Sequence, residues 1–202
     1  MPEIIRDIPQ GDELWLRMRA GSVGGTGINS VLAKGTGKSR QTLLYRLAGE
    51  ILADGPIPSY SNGYMDRGHE YEPEARALYE FLHDVTVEQV SLIRGDIPGT
   101  HVSPDGLIEP DGGIEIKTMM PHIYVELIDT GKIDLAYIRQ CQMFLFITKR
   151  AWIDFCAYCP EITVRTMWVK QITPDAGIQA QIETELPVFL RELAQLVERV
   201  RG

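Results

Sequence analysis

The chain is short of several things, and each shortage closes a line of interpretation. It has three cysteines in 202 residues, at 141, 156 and 159. Cys156 and Cys159 form a C-x-x-C pair, but no second pair and no histidines stand where a zinc ribbon needs them. A redox pair sits at a helix N-terminus after a strand, whereas Phe155-Cys156-Ala157-Tyr158-Cys159-Pro160 reads as a strand end. Buried, reduced cysteines in a cytosolic protein are expected. No apolar run reaches the roughly 18 residues of a membrane span, so no membrane role is expected. Met1-Pro2-Glu3-Ile4-Ile5-Arg6 lacks the basic stretch and apolar core of a secretory signal. There are no internal repeats, and no linker divides the chain, so 1–202 is read as one domain. Positive charge is also scarce. The formal net charge is −8, which argues against a general nucleic-acid coat. It is uneven, however. Residues 1–50 carry seven Lys/Arg against five Asp/Glu, and the remainder thirteen against twenty-three. An acidic protein can still act on DNA if its bases line a passage and its acids hold metal.

At 44% hydrophobic, the chain is long enough for one well-filled core. Periodicity and turn residues predict a short helix opened by Asp12 as N-cap, and a Gly-rich loop over 21–27. A helix over 28–33 follows, capped by Thr26. The run Ala33-Lys34-Gly35-Thr36-Gly37-Lys38-Ser39 ends like a P-loop. That motif needs a glycine where Leu32 stands and a strand where a helix pattern stands. Lys34 and Lys38 are instead read as a basic loop able to contact DNA phosphates. Helices are predicted over 40–53, 64–83, 133–148 and 174–201, the last dented by Pro187. Strands are predicted over 85–93, 98–108, 112–118, 151–158 and 163–169. The class is α/β, with a mixed central sheet flanked by helices.

The most informative stretch is Ser103-Pro104-Asp105-Gly106-Leu107-Ile108, then Gly113-Ile114-Glu115-Ile116-Lys117. Pro, Asp and Gly pre-set turn dihedrals, so the segment reads as a hairpin. Strand alternation puts Ile114 and Ile116 on one face and Glu115 and Lys117 on the other, with Asp105 brought opposite. Two carboxylates can hold Mg²⁺, and a lysine can deprotonate a water or support the reaction electrostatically. The bland alternative is a turn aspartate beside an exposed Glu–Lys pair.

The pattern Pro104-Asp105, nine residues, Glu115-Ile116-Lys117 resembles the PD-(D/E)XK nuclease signature. Three further segments resemble the lambda-type phage exonuclease family, the viral recombinase alkaline exonucleases, in residue type and order. They are Trp15-Leu16-Arg17-Met18-Arg19-Ala20-Gly21 followed by Thr26, Gly68-His69-Glu70-Tyr71-Glu72-Pro73-Glu74-Ala75-Arg76, and Ala136-Tyr137-Ile138-Arg139-Gln140. The resemblance covers about residues 12–160. It implies a restriction-endonuclease-like core and an Mg²⁺-dependent 5′-to-3′ exonuclease, Mn²⁺ substituting. The substrate implied is linear double-stranded DNA, left with 3′ overhangs for recombination. A restriction or repair endonuclease of the same fold is the alternative.

The resemblance also implies roles. Asp105, Glu115 and the Ile116 carbonyl would hold metal. Glu72 would face the same site, directly or through water, as ligand to a first or second ion. Tyr137 and Gln140, three apart on one helix face, would lie beside the scissile phosphate. Arg19 would bind a 5′-terminal phosphate, aided by the hydroxyl and helix N-terminus of Thr26. Trp15 would lie near the DNA, and Met65 falls where the family carries an apolar wedge. A ring-shaped homotrimer, a single-strand annealing partner and a phage or prophage protein acting in bacterial cytoplasm are implied likewise.

Overall fold

Pro104 has no backbone N–H to give to a ladder, and the chain changes sheets there. The computed structural model describes residues 2–33, 37–57 and 63–202, with side chains from Arg67 onward in the last segment. His101–Val102 (β3) pairs antiparallel with Leu92–Arg94 (β2), which pairs in turn with Glu3–Ile5 (β1). After the break, Gly106–Ile108 (β4) forms a hairpin with Gly112–Thr118 (β5). β5 runs parallel to Ile153–Tyr158 (β6), which pairs antiparallel with Met167–Ile172 (β7). The mixed sheet is therefore four-stranded, order β4-β5-β6-β7, beside a three-stranded antiparallel sheet. The single strand expected over 98–108 is two strands in different sheets. The strand expected over 85–93 pairs only from Leu92 on, apart from an isolated bridge between Glu88 and Leu107. Val87 and Val90 are buried, but the burial does not alternate over the segment, which crosses between sheets and lacks a continuous partner. β7 starts later than expected because residues 159–166 turn back first, with Cys159 N–H donating to Thr166 O.

The helices are Glu13–Arg19 (α1), Ile28–Val31 (α2), Lys38–Leu52 (α3), Gly63–His83 (α4), Pro121–Thr130 (α5), Leu135–Thr148 (α6) and Ala176–Arg201 (α7). α5 and β1 are absent from the expected set. Pro187 sits within α7 without ending it. Among the described residues no helix is long and apolar enough to cross a membrane. All three cysteines are buried and free, and burial raises each thiol's pKa.

Strand alternation divides the core. Ile114, Ile116, Cys156 and Tyr158 cluster with Ala75 and Tyr79 of α4. Phe155 and Ala157 face the other way, into a core shared with Phe144 of α6 and Phe189 of α7. Gly113 lies on this second face. A Cβ there would stand 2.4 Å from Phe144 Cζ, and that ring is buried. Gly113→Ala must displace it. The expected cost is about 1–3 kcal/mol, at roughly 2–4 °C of Tm per kcal/mol. Urea and thermal melts of the purified variant check this.

Candidate active site

Because α6 covers the Glu115–Lys117 face of β5, the two side chains point into a narrow space beneath it. Lys117 Nζ lies 2.6 Å from Glu115 Oε1. Gln140 of α6 donates from Nε2 to the same oxygen, also at 2.6 Å. Glu115 is 4% exposed, so this is a desolvated pair held by a third group, unlike a surface ion pair. Asp105 reaches across from the start of β4. Its Oδ2 accepts from Ile116 N–H at 2.6 Å, which orients the carboxylate beside Glu115. The turn aspartate thus bonds to the neighbouring strand rather than to its own turn.

Electrostatics follow from this crowding. Burial, then the charge of Glu115, pushes the Asp105 carboxyl well above its usual range, against the pull of Lys117. Burial would lower the Lys117 ammonium, but Glu115 and Asp105 outweigh it and hold the pKa above normal. Two carboxylates and one ammonium leave room for a further cation. Among the described residues no three His, Cys, Asp or Glu side chains gather as a full metal cage. Asp105, Glu115 and the Ile116 carbonyl make a sparse, hard oxygen set. Such a set fits Mg²⁺, which keeps several of its waters.

Tyr137 stacks on Phe155 with centroids 5.5 Å apart, and Lys117 Nζ lies 5.5 Å from its ring centroid. Its ring therefore walls the ammonium as well as packing the core. Glu72 comes from α4, on the opposite face of β5. Its charge is felt at Asp105, but its side chain pairs with Arg76 one turn on. It also lines a separate cavity of about 530 Å³ with His69 and Gln10.

A cleft of about 40 Å³ links this site to the N-terminal segment. Arg19, Thr26, Ser103, Glu115 and Gln140 all line it. Arg19 stacks on Trp15 with its guanidinium carbon 3.8 Å from the ring centroid. It pairs with neither Asp12 nor Glu13. Asp12 caps α1 by accepting from Leu14 N–H at 2.8 Å, and Glu13 pairs with Arg17. Burial, then Arg46, lowers the Arg19 pKa to about 10, with Glu50 opposing. Trp15 is tied down by donating from Nε1 to Ser91 O at 2.8 Å, so it supports Arg19 rather than standing free. Thr26 is exposed beside the cleft but caps no helix. The N-cap of α2 is Gly27, without a side-chain bond, and α2 has four residues. Lys38 is the exposed first residue of α3, behind its N-cap Gly37. Lys34 and the Met65 side chain lie outside the described residues.

Sequence reasoning missed three residues here. Ser103 Oγ is buried in the cleft wall without a partner among the described residues. Its place immediately before Pro104-Asp105 was the available signal. Ser22 and His101 lie behind Arg19, and nothing local announces them. His101 is 3% exposed. Burial, then Arg19, Arg46 and Arg94, lowers its pKa to about 3 from 6.5. Between those values the unfolded chain binds a proton that the folded chain refuses. This contribution to stability is complete above about pH 6.5 and lost on acidification. By pH 4.5 the loss amounts to roughly 2–3 kcal/mol. His101→Gln should shrink the fall in urea midpoint between pH 7 and pH 4.5 accordingly.

The sequence over residues 14–151 matches the YqaJ-like viral recombinase domain. The structure is similar to that of an alkaline exonuclease, LHK-Exo, from Laribacter hongkongensis. Identity is 34% and TM-score 0.87, over 94% of this chain and 96% of that one. LHK-Exo in complex with dAMP gives 35% and 0.88 over the same shares. A phage-related exonuclease from Haemophilus somnus 129PT shares the fold, with 12% identity and TM-score 0.67 over 89% and 96%. The curated proteins give no match. With the domain matched over more than half its length, the chain belongs to the YqaJ-like viral recombinase family.

Proposed function

We propose that the protein is a divalent-metal-dependent exonuclease, using Mg²⁺ with Mn²⁺ as substitute. It digests the 5′ strand of linear duplex DNA and leaves a 3′ single strand for recombination. The observation that carries this reading is the cleft that joins Arg19 to Glu115 and Gln140. A receptor for a strand end and a hydrolytic site then lie along one path. The relative LHK-Exo was crystallised with dAMP, the product class such an enzyme releases.

Asp105, Glu115 and the Ile116 carbonyl are assigned to the metal. When bound, it supplies positive charge against the scissile phosphate and lowers the pKa of a water. The chain's own groups do the positioning. Ile116 N–H fixes Asp105, and Gln140 fixes Glu115. Lys117, confined by Glu115 and the Tyr137 ring, presents N–H donors where negative charge develops on the phosphate. Glu72 is assigned an outer position toward the Asp105 side, reached by leaving Arg76. Lys34 and Lys38 contact backbone phosphates, and Met65 separates the terminal base pair. A homotrimeric ring would keep an acidic chain on DNA by enclosing it, and a single-strand annealing protein would receive the product strand.

Linear, nicked and closed circular duplexes incubated with Mg²⁺ or Ca²⁺ test the reading. Linear DNA should be degraded with Mg²⁺, and closed circles should survive. Cutting of closed circles would replace this reading with an endonuclease. Light scattering should give about three times the 22.7 kDa chain mass.

A further inference from the structure

Arginine is long and has several rotatable bonds, so a guanidinium aimed at one phosphate must be held from behind. Here the holding groups form a closed circuit. Arg19 Nε donates to His101 Nε2 at 3.2 Å. His101 Nδ1 stands 2.7 Å from Ser22 Oγ. Ser22 Oγ donates to the Arg19 carbonyl at 2.7 Å. Directions follow from the two ends. Arg19 Nε has only a hydrogen to give, so His101 Nε2 accepts and its proton sits on Nδ1. That N–H donates to Ser22 Oγ, whose own hydrogen goes to Arg19 O. Every donor meets an acceptor, and the circuit begins and ends on Arg19.

Three details tie the circuit to the cleft. Trp15 closes one face of the guanidinium. Gly24 passes so near the imidazole that a Cβ there would lie 2.7 Å from His101 Nε2. With Nε occupied and one face covered, the terminal nitrogens of Arg19 have no hydrogen-bond partner among the described residues, in a side chain that lines the cleft.

We propose that His101 is a positioning residue for strand-end recognition, a neutral imidazole that takes up Arg19 Nε so that both terminal nitrogens face a terminal phosphate monoester. The inference rests on the end-recognition reading above. Protonation would abolish the acceptor and place a cation against Arg19. Burial and the surrounding Arg19, Arg46 and Arg94 keep the ring neutral at working pH.

The test compares otherwise identical linear duplexes bearing 5′-phosphate or 5′-hydroxyl, with Mg²⁺ and the full chain. The readout is the ratio of kcat/KM between the two. His101→Leu removes the acceptor and should lower the ratio about tenfold or more, mainly through KM for the phosphorylated duplex. His101→Gln returns a carbonyl oxygen near the Nε2 position and should restore most of the ratio. Ser22→Ala leaves the His101 Nδ1–H without its acceptor, loosens the imidazole behind Arg19, and should lower the ratio in part. It serves where His101→Leu does not fold. Arg19→Ala combined with His101→Leu should be no worse than Arg19→Ala alone. Equal slowing of both duplexes by His101→Leu or Ser22→Ala, with the ratio intact, overturns the inference while Arg19→Ala still abolishes the preference. An unchanged ratio in Arg19→Ala overturns the end-recognition reading itself.

Discussion

Asp105→Ala, Glu115→Ala and Lys117→Ala should each reduce cleavage of linear duplex by about a thousandfold or more, with the fold retained. The three losses differ in kind. Asp105→Ala removes one of two carboxylates and frees Ile116 N–H from its 2.6 Å bond. Glu115→Ala removes the other, and at once strips Lys117 and Gln140 of the oxygen both use. Lys117→Ala leaves Glu115 buried against Gln140 alone, and leaves developing phosphate charge unopposed. The carboxylate variants should also lose divalent-ion binding, read with Ca²⁺ by calorimetry. Lys117→Ala should retain it, because an ammonium repels a cation rather than binding one. Stability gives an internal check. Asp105 and Glu115 repel one another in a crowded space, so an alanine at 105 should melt close to the parent chain. Near-parental cleavage by purified Asp105→Ala would remove the catalytic assignment.

Arg19→Ala should abolish the preference for 5′-phosphorylated over 5′-hydroxyl duplex, a change of about 10- to 100-fold in relative kcat/KM. A terminal phosphate monoester carries roughly one more negative charge than an internal diester at neutral pH. Two charge-assisted N–H bonds from a half-buried guanidinium are enough for that discrimination. Burial and the nearby Arg46 already disfavour the Arg19 charge, so an arriving anion relieves an existing cost as well as making bonds. Arg19→Lys should recover little. A lysine keeps the charge but has neither the Nε that meets His101 nor the planar fork. The preference is measured on paired substrates at two salt concentrations, and it should weaken as salt rises. A preference left unchanged by Arg19→Ala would take end recognition away from this residue.

The local parts of the site were legible in the chain. Alternation alone puts Glu115 and Lys117 on the same face of a strand, and the structure has them paired. Turn chemistry at Pro110-Asp111-Gly112 marks the hairpin, and the register closes there with Ile108 opposite Gly112. The helical stripe Tyr71, Ala75 and Leu78 packs on the sheet as its spacing requires. Each of these depends on residues a few positions apart, and the geometry of a strand, turn or helix relates such residues without reference to the rest of the chain.

What lay beyond that reach was decided by packing. The 98–108 segment looked continuous because alternation does not say which sheet a strand joins. The break at Pro104 became visible only with β2 and β5 in place. Glu72 has the right type and spacing to turn inward, but α4 packs on the face of β5 opposite Glu115, and Arg76 takes its carboxylate. Gln140 finds Glu115 across 25 positions, and Arg19 finds His101 across 82. Nothing in the local chain encodes such meetings. They arise because burying two apolar faces of one sheet leaves few ways to stack α4, α6 and the N-terminal segment, and the polar side chains in those layers must then satisfy one another.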